Sequence, residues 1–280
     1  MNKVKKQIVL LVCMMFVGIS SANDEADKAT IPFSRSSFEI GPEIFSHEYE
    51  EFMYGETLMK EKGTLYGIVI KSYSHSWVPE SPEESVESDK WMSGFEGEFA
   101  YGKIDYDGQS QDGTPYTISD IDDFLIDARF LAGLDFPTAD RLNTPYIGIG
   151  YRYLRDDSSS DPAGYLRQSN YLYLPIGLMM DSYKKNGWSI GASGEFDLLL
   201  FGMQISEIGG VDFTNNQTSG YGFRVAVDIK NRSNKSSFKI QPFVRYWHID
   251  ESDTDNETGV LFVEPENKTT QVGVQLAWEF

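Results

Sequence analysis

Apolar and polar side chains alternate strictly along much of this chain, and this alternation constrains the fold more than any other feature. It is clearest in TTQVGVQLAWEF at the C-terminus, where Val272, Leu276 and Phe280 share one face and Gln271 and Glu279 share the other. A period of two residues predicts a β-strand with two unlike faces. The pattern recurs in ten segments: residues 36–48, 63–77, 91–106, 119–134, 145–155, 168–181, 188–202, 220–230, 237–249 and 269–280.

The ten segments are too long for the strands of an ordinary soluble sheet. They contain 11 to 16 residues each, whereas strands of globular proteins most often have about 5 to 6, and a tilted strand crosses a bilayer with about 9 to 11. One face is apolar and aromatic, and the other carries charges and glycines. A soluble sandwich also alternates, but Trp91, Trp188 and Trp278 lie near strand ends, as in an aromatic girdle. The sequence therefore predicts an all-β fold, a closed antiparallel transmembrane β-barrel of about ten strands in an up-and-down meander.

The N-terminus has the three parts of a secretory signal peptide. Three lysines precede the apolar run Ile8–Ile19, and small residues follow it up to Ala22. This run of 12 residues is shorter than the roughly 20 that a membrane-spanning helix needs. We therefore expect a signal peptide at residues 1–22, a short periplasmic segment at 23–35 and the barrel domain at 36–280, located in a bacterial outer membrane after cleavage near Ala22.

Composition excludes several classes of function. Cys13 is the only cysteine and lies in the predicted signal peptide, so the mature chain has no thiol for a disulfide, a thiolate metal site or a nucleophile. The net charge of −19 disfavours a nucleic-acid partner. Aromatic residues make up 14% of the chain, which argues against disorder, because disordered chains are poor in aromatics.

Connection lengths predict the orientation of the barrel. Three connections are long and polar (156–168, 202–220 and 250–268), and two that alternate with them are short (182–187 and 231–236). Outer-membrane barrels have long outer loops and short periplasmic turns, so we expect both termini in the periplasm. The acidic connection 78–90 breaks this pattern, because it should be a turn and has 13 residues.

Several blocks resemble a known family. LAGLDFP, TPYIGIGYRYLRDD, YLYLPIGL and FVRYWHI are similar to the porin-like outer-membrane β-barrel domain family, whose members are mostly of undefined activity. The terminal LAWEF, with Trp278 and Phe280, resembles the C-terminal signal that the bacterial barrel-assembly machinery reads. The resemblance implies fold and location, with outer-membrane lipids and the assembly machinery as partners, and any extracellular ligand stays unidentified.

The charged faces of the predicted strands should line the lumen. Together with Glu279 they hold nine acids and six bases. In a narrow barrel such charges should pair, because an unpaired confined charge is costly, and we expect Arg129, Arg152, Arg224 and Arg245 to pair with Glu98, Asp127, Glu195 and Asp197. The predicted lumen network is Glu39, Glu43, Lys71, Glu96, Glu98, Asp127, Arg129, Arg152, Glu195, Asp197, Arg224, Asp228, Lys239 and Arg245.

These residues favour a non-enzymatic barrel with a narrow, charge-filled lumen and a structural or surface-interaction role. The first alternative is a small-solute, weakly cation-preferring channel, because acids outnumber bases in the lumen. About eight strands leave an interior just filled by side chains, whereas wide porins have 16 to 18 strands. Ten strands therefore argue against a broad pore.

A surface protease is the third alternative. Ten-stranded barrels are similar to the omptins, whose site pairs aspartates with an Asp/His couple near the outer rim. His248 and Asp250 lie at a strand end, with Asp120, Asp122 and Asp123 near another rim. However, His248 has the parity of the lipid-facing residues of its strand. We therefore predict no catalytic site, metal or cofactor, and we interpret His47 and His75 as ordinary strand residues.

Overall fold

The computed structural model describes residues 36–76, 90–109, 113–138, 140–182, 187–232, 237–254 and 262–280. The expected signal peptide, the segment 23–35 and the acidic connection before Lys90 lie outside the described residues. Within the described ranges, no helix is long and apolar enough to cross a membrane.

The described residues form twelve strands in one antiparallel sheet. Their bounds are β1 Ser36–Met53, β2 Glu56–His75, β3 Trp91–Gln109, β4 Pro115–Leu134, β5 Phe136–Pro137, β6 Arg141–Asp157, β7 Leu166–Ser182, β8 Trp188–Ile208, β9 Val211–Gln217, β10 Gly220–Arg232, β11 Ser237–Ile249 and β12 Glu266–Glu279.

Ten of these strands close into a barrel. Sequential neighbours pair around the ring, β8 pairs with β10, and the first strand β1 pairs with the last strand β12. The short strands β5 and β9 lie outside the ring and pair with β6 and β8. The predicted closed ten-stranded meander is therefore confirmed, and each of the ten predicted segments corresponds to one barrel strand.

Alternation sorts the side chains of each strand between the lumen and the outside. Along β1, Glu39, Glu43 and His47 are buried in the lumen, whereas Ile40 and Ile44 are 39% and 42% exposed on the outer surface. The outer surface is apolar around the ring, with Ile68, Phe130 and Ile190 at 56% to 63% exposure. Such a belt is stable only in contact with lipid, because it would cost free energy in water.

The strands extend further toward the loop end of the barrel than the sequence predicted. We call this the loop end, and the opposite end, where β1 begins and β12 finishes, the terminal end. β1 and β2 continue to a two-residue turn at Tyr54 and Gly55, which have φ angles of 53° and 83°. Positive φ at both central residues is the geometry of a type I′ hairpin turn.

The prediction that residues 202–220 form a long connection is therefore wrong in part. Most of it is ordered strand, because β8 runs to Ile208 and β9 returns alongside it. The physical reason is a register shift in β8 between Leu199 and Phe201, which reverses the parity of the strand and interrupts the alternation although the hydrogen-bond ladder continues.

Candidate functional site

The lumen collects the charged residues that the sequence assigned to it. All fourteen lie on the inner surface of the barrel: ten are buried, and Glu96, Arg129, Arg224 and Asp228 are partly buried. They occupy the terminal half of the barrel and its middle, where each position follows from the parity of its strand.

Arg129 joins strands on two sides of the lumen. Its guanidinium donates to Glu96 Oε2 from Nε and Nη2 at 3.1 and 2.7 Å, and Nη1 contacts Glu195. Two phenols complete the group, because Tyr73 donates to Glu96 and Tyr146 donates to Glu195 Oε2 at 2.7 Å. Charge-assisted hydrogen bonds of this kind are the strongest in proteins, and they fix the geometry of the group.

Arg224 and Arg245 form the middle of the charged network. Arg224 donates to Asp197 Oδ2, Asp127 Oδ2 and the Tyr173 hydroxyl, each at 2.8 Å. Arg245 Nη1 donates to Glu98 Oε1 at 2.6 Å, and its guanidinium carbon lies 4.1 Å from the centroid of the Phe243 ring. Neighbouring charges therefore compensate one another here, with little need for water.

Lysines complete the network near the terminal end. Lys239 contacts Glu39, and Lys71 Nζ donates to Gln241 Oε1 at 2.8 Å. Lys230, which was not among the predicted lumen residues, lies 3.4 Å from Asp181 and 3.8 Å from Glu279. Its parity on β10, two residues beyond Asp228, was the signal that could have identified it.

Arg152 forms the pair that the sequence predicted only as a long ion pair without a hydrogen bond. It is 1% exposed, and its nearest carboxylate oxygen, Asp127 Oδ2, lies 3.6 Å from Nη1. Neither Nη1 nor Nη2 has a hydrogen-bond partner among the described residues. Asp127 already accepts hydrogen bonds from Arg224 and from the Tyr173 hydroxyl, at 2.8 and 2.6 Å. These two donors compete with Arg152 for the Asp127 carboxylate.

An apolar layer crosses the lumen beyond the charged network, and the sequence pattern did not predict it. Its members point inward from eight of the ten barrel strands, all except β10 and β12. All but the partly buried Leu154 are 0 to 5% exposed, and Leu154 packs against both halves. These side chains are therefore hidden from water. We define the apolar layer as Phe45, Leu65, Ala100, Leu125, Leu154, Tyr171, Tyr173, Leu199 and Trp247.

A second charged group lies between the apolar layer and the loop end. Arg167 Nη1 contacts Glu51 at 2.5 Å, and Nη2 contacts Asp156 at 2.9 Å and also Glu61. We define the loop-end cluster as Glu51, Glu61, Asp123, Asp156 and Arg167. Four of the five, all except Asp123, fall outside the predicted strand bounds, which is why the sequence did not place them in the lumen.

Residues 262–265 of the connection between β11 and β12 bring Glu264 close to this cluster. Glu264 in that connection is 2% exposed. Burial, reinforced by the negative charge of Glu51, raises the pKa of the Glu264 carboxyl well above its usual range. The loop end therefore covers acidic groups that are hidden from water.

Two cavities among the described residues lie on opposite sides of the apolar layer. One, of about 120 Å³, occupies the terminal half and is lined by Lys71, Glu96, Arg129 and Arg224 among others, so it has room for several water molecules. The other, of about 20 Å³, lies on the loop side of the apolar layer beside His47, Asp123 and Asp156. The buried side chains of the apolar layer lie between them.

The histidines do not assemble a recognisable catalytic group. His248 stacks on Tyr221 on the outer surface, with ring centroids 5.1 Å apart, and its Nε2 lies 2.9 Å from Asp250 Oδ1. His75 Nδ1 contacts Asp135 Oδ2 at 2.7 Å, and His47 Nδ1 lies 3.1 Å from Gln271 Nε2. In the part of the chain that the structure describes, no three histidine, cysteine or carboxylate side chains are placed to hold a metal ion.

A comparison with a solved structure supports the fold. The outer-membrane protease OmpT of Escherichia coli matches with a TM-score of 0.56 at 9% identity, over 88% of this chain and 95% of that one. Neisserial surface protein A and an outer-membrane channel of Pseudomonas putida F1 match with TM-scores of 0.32 at 10% and 11% identity, over 86% and 92% of this chain and 95% and 100% of theirs. TM-scores this low carry no argument about function.

No family model and no curated protein matches the sequence. The closed sheet and the match to OmpT show the fold of an outer-membrane β-barrel. Membership of the porin-like family stays a prediction.

Proposed function

We propose that the protein spans a bacterial outer membrane as a closed barrel and acts through its structure or its external surface, without conducting solutes. The observation that carries this proposal is the apolar layer. Phe45, Leu125 and Leu199 enter the lumen from three different strands at 5% exposure or less, and on the terminal side of the layer ion pairs link most of the buried charges. A conducting lumen instead needs a continuous wet path lined by polar groups.

The outer surface supports the location. Trp91, Trp188 and Trp278 lie on the outer face at the terminal end with 45% to 54% of their surface exposed, and Tyr66 and Tyr101 lie on the outer face farther along their strands. Trp and Tyr are enriched at membrane interfaces, where one part of each ring is apolar and the other is wet. Lipids are therefore the first partner that we propose.

The second candidate is a small-solute channel with a weak cation preference. The larger cavity supports it, because this polar space extends through the terminal half of the lumen. For conduction, however, the apolar layer would have to open, and three of its side chains, Leu65, Leu125 and Tyr173, are fully buried.

Proteolysis remains the third candidate. The His248–Asp250 pair lies on the outer surface beside Tyr221, whereas Asp120, Asp122 and Asp123 lie on β4, five strands from β11 around a ring of ten. This separation, together with the outward position of His248, favours a non-enzymatic role. Cleavage of peptides by the refolded protein, abolished by His248→Ala, would contradict it.

The experiment that tests the closed lumen is solute flux into proteoliposomes. We expect wild-type protein to admit neither small sugars nor small cations, and a Phe45→Ala/Leu199→Ala double variant to admit both, because it removes two inward side chains of the apolar layer. The matched control is Ile44→Ala/Leu198→Ala, which changes the adjacent outward residues and should stay impermeable. Flux through the wild-type barrel equal to that of the double variant would contradict the proposal.

A further inference from the structure

The loop-end cluster carries more negative charge than its own cation neutralises. Arg167 serves three carboxylates, those of Glu51, Glu61 and Asp156. Asp123, the fourth carboxylate, is 3% exposed and forms no ion pair with the described residues. A carboxylate that is hidden from water and unpaired is costly, so Asp123 must be neutralised either by a proton or by a further cation.

Asp123 and Asp156 lie directly opposite each other on β4 and β6. Both point into the lumen, where they are 3% and 8% exposed. Like charges directly opposite on antiparallel strands destabilise the pair. In each carboxylate the Oδ1 atom is buried and has no hydrogen-bond partner among the described residues, so two oxygen acceptors are available side by side.

The smaller cavity lies beside these two oxygens. Its lining includes the oxygen-bearing side chains of Asp123, Asp156, Ser169 and Thr269 as well as Arg167 and His47, and its volume of about 20 Å³ suffices for one water-sized occupant. The first four side chains offer oxygen atoms, the ligands that hard cations prefer. A Mg²⁺ ion usually keeps several water ligands, and this cavity has no room for them.

We propose that this cavity binds one small hard cation of the size of Na⁺ or Ca²⁺, held by Asp123 and Asp156 and by the hydroxyl oxygens of Ser169 and Thr269. The hydroxyls are needed because no three carboxylate, histidine or cysteine side chains of the described ranges are placed to hold a metal ion. The ion offsets the charge that Arg167 leaves uncompensated, and it links β4 to β6 and β7 above the apolar layer.

The test compares unfolding midpoints of the refolded full chain in CsCl, NaCl and CaCl₂ at equal ionic strength. Equal ionic strength removes general screening, and Cs⁺ is too large for the cavity. We expect Na⁺ or Ca²⁺ to raise the midpoint of the wild type by about 3 to 6 °C over Cs⁺ once the ion is about tenfold above its Kd. Asp123→Asn should abolish this difference.

Asp122→Asn is the matched control, because it makes the same charge change one residue away. Asp122 lies on the outer side of β4 and pairs with Lys103 at 2.6 Å, so this variant should keep the ion-specific rise. Equal midpoints in the three salts would overturn the proposal, as would an ion-specific rise that persists in Asp123→Asn. Stabilisation by acid alone would also overturn it, because protons would then neutralise the pair.

A direct measurement keeps the proposal testable if Asp123→Asn does not refold. Wild-type protein is equilibrated with radioactive Na⁺ or Ca²⁺ and then exchanged into CsCl. About one retained ion per chain, in excess over the retention by denatured protein, supports the site, and no retained ion contradicts it.

Discussion

At the scale of single residues, the lumen is held by guanidinium groups that each serve several carboxylates, and Arg224 is the clearest case. It bridges Asp127 and Asp197 at 2.8 Å each. Arg152 lies nearby and is more deeply buried, without a hydrogen bond to a described residue. The two arginines carry the same charge in the same lumen. The difference in stability loss when each is replaced therefore measures the contribution of its hydrogen-bonded ion pairs.

Arg224→Leu should therefore lower the free energy of unfolding by about 3 to 5 kcal/mol, because it leaves two buried carboxylates without their partner. Arg152→Leu should change it by only about 0 to 1 kcal/mol, since replacing a poorly paired buried charge by an apolar side chain is often close to neutral. Urea unfolding of the refolded barrels measures both values. Equal losses in the two variants would show that pairing does not hold the lumen together.

A glycine on the lumen face makes room for one ring of the apolar layer. A Cβ atom on Gly150 would overlap the ring of Tyr173, which is fully buried. Gly150→Ala should therefore cost about 1 to 3 kcal/mol of stability through overpacking. Gly194→Ala is the control, because a Cβ there meets nothing within 4 Å, and it should change stability by less than about 0.5 kcal/mol. Similar values for the two variants would contradict tight packing at this level.

At the scale of elements, β1 and β12 form the seam that closes the barrel. Phe38 and Phe280 exchange two backbone hydrogen bonds at the end of this seam, with N–O distances of 3.2 and 2.9 Å. The Phe280 ring is 66% exposed on the outer surface, where assembly factors can reach it.

Deletion of Phe280 should slow or prevent insertion into the outer membrane while export to the periplasm continues. Phe280→Ala keeps the backbone hydrogen bonds to Phe38. It therefore distinguishes a role of the Phe280 ring from a role of these backbone hydrogen bonds. The yield of heat-modifiable protein in outer-membrane fractions measures insertion. A normal yield of the truncated chain would remove the proposed role of this residue.

The elements also show which parts of the fold could be predicted from sequence. The ten strands could be predicted because lipid requires every outward residue across the bilayer to be apolar. The apolar layer was missed because Phe45, Leu125 and Leu199 occupy inward positions where charges were expected. The available signal was the run of consecutive apolar residues that each of them belongs to, such as Phe124–Ile126 and Leu198–Phe201.

The loop-end cluster could not be predicted in the same way. Glu51 and Glu61 are brought to Arg167 by the curvature of a closed barrel, across 116 and 106 residues of chain. Glu61 lies between Lys60 and Lys62, and Glu51 between Glu50 and Phe52, so no regular alternation of apolar and polar residues marks which of them point inward.

At the scale of the whole molecule, the even number of strands places Ser36 and Phe280 at one end and the connections that follow β6, β8 and β11 at the other. A tag inserted at Ser159, between β6 and β7, should be reachable by antibody on intact cells. A tag in the connection between β7 and β8 should be reachable only after the outer membrane is opened. Labelling of the second tag in intact cells would invert the proposed orientation.

The central claim for the whole molecule is that the apolar layer closes the lumen, and single-channel recording in planar bilayers tests it most directly. Refolded wild-type protein should insert without adding discrete conductance steps, because the ring of buried side chains from Phe45 to Trp247 leaves no wet path. Reproducible steps in the wild type with a cation-selective reversal potential, lost on blocking the lumen, would contradict the closed barrel and identify a channel.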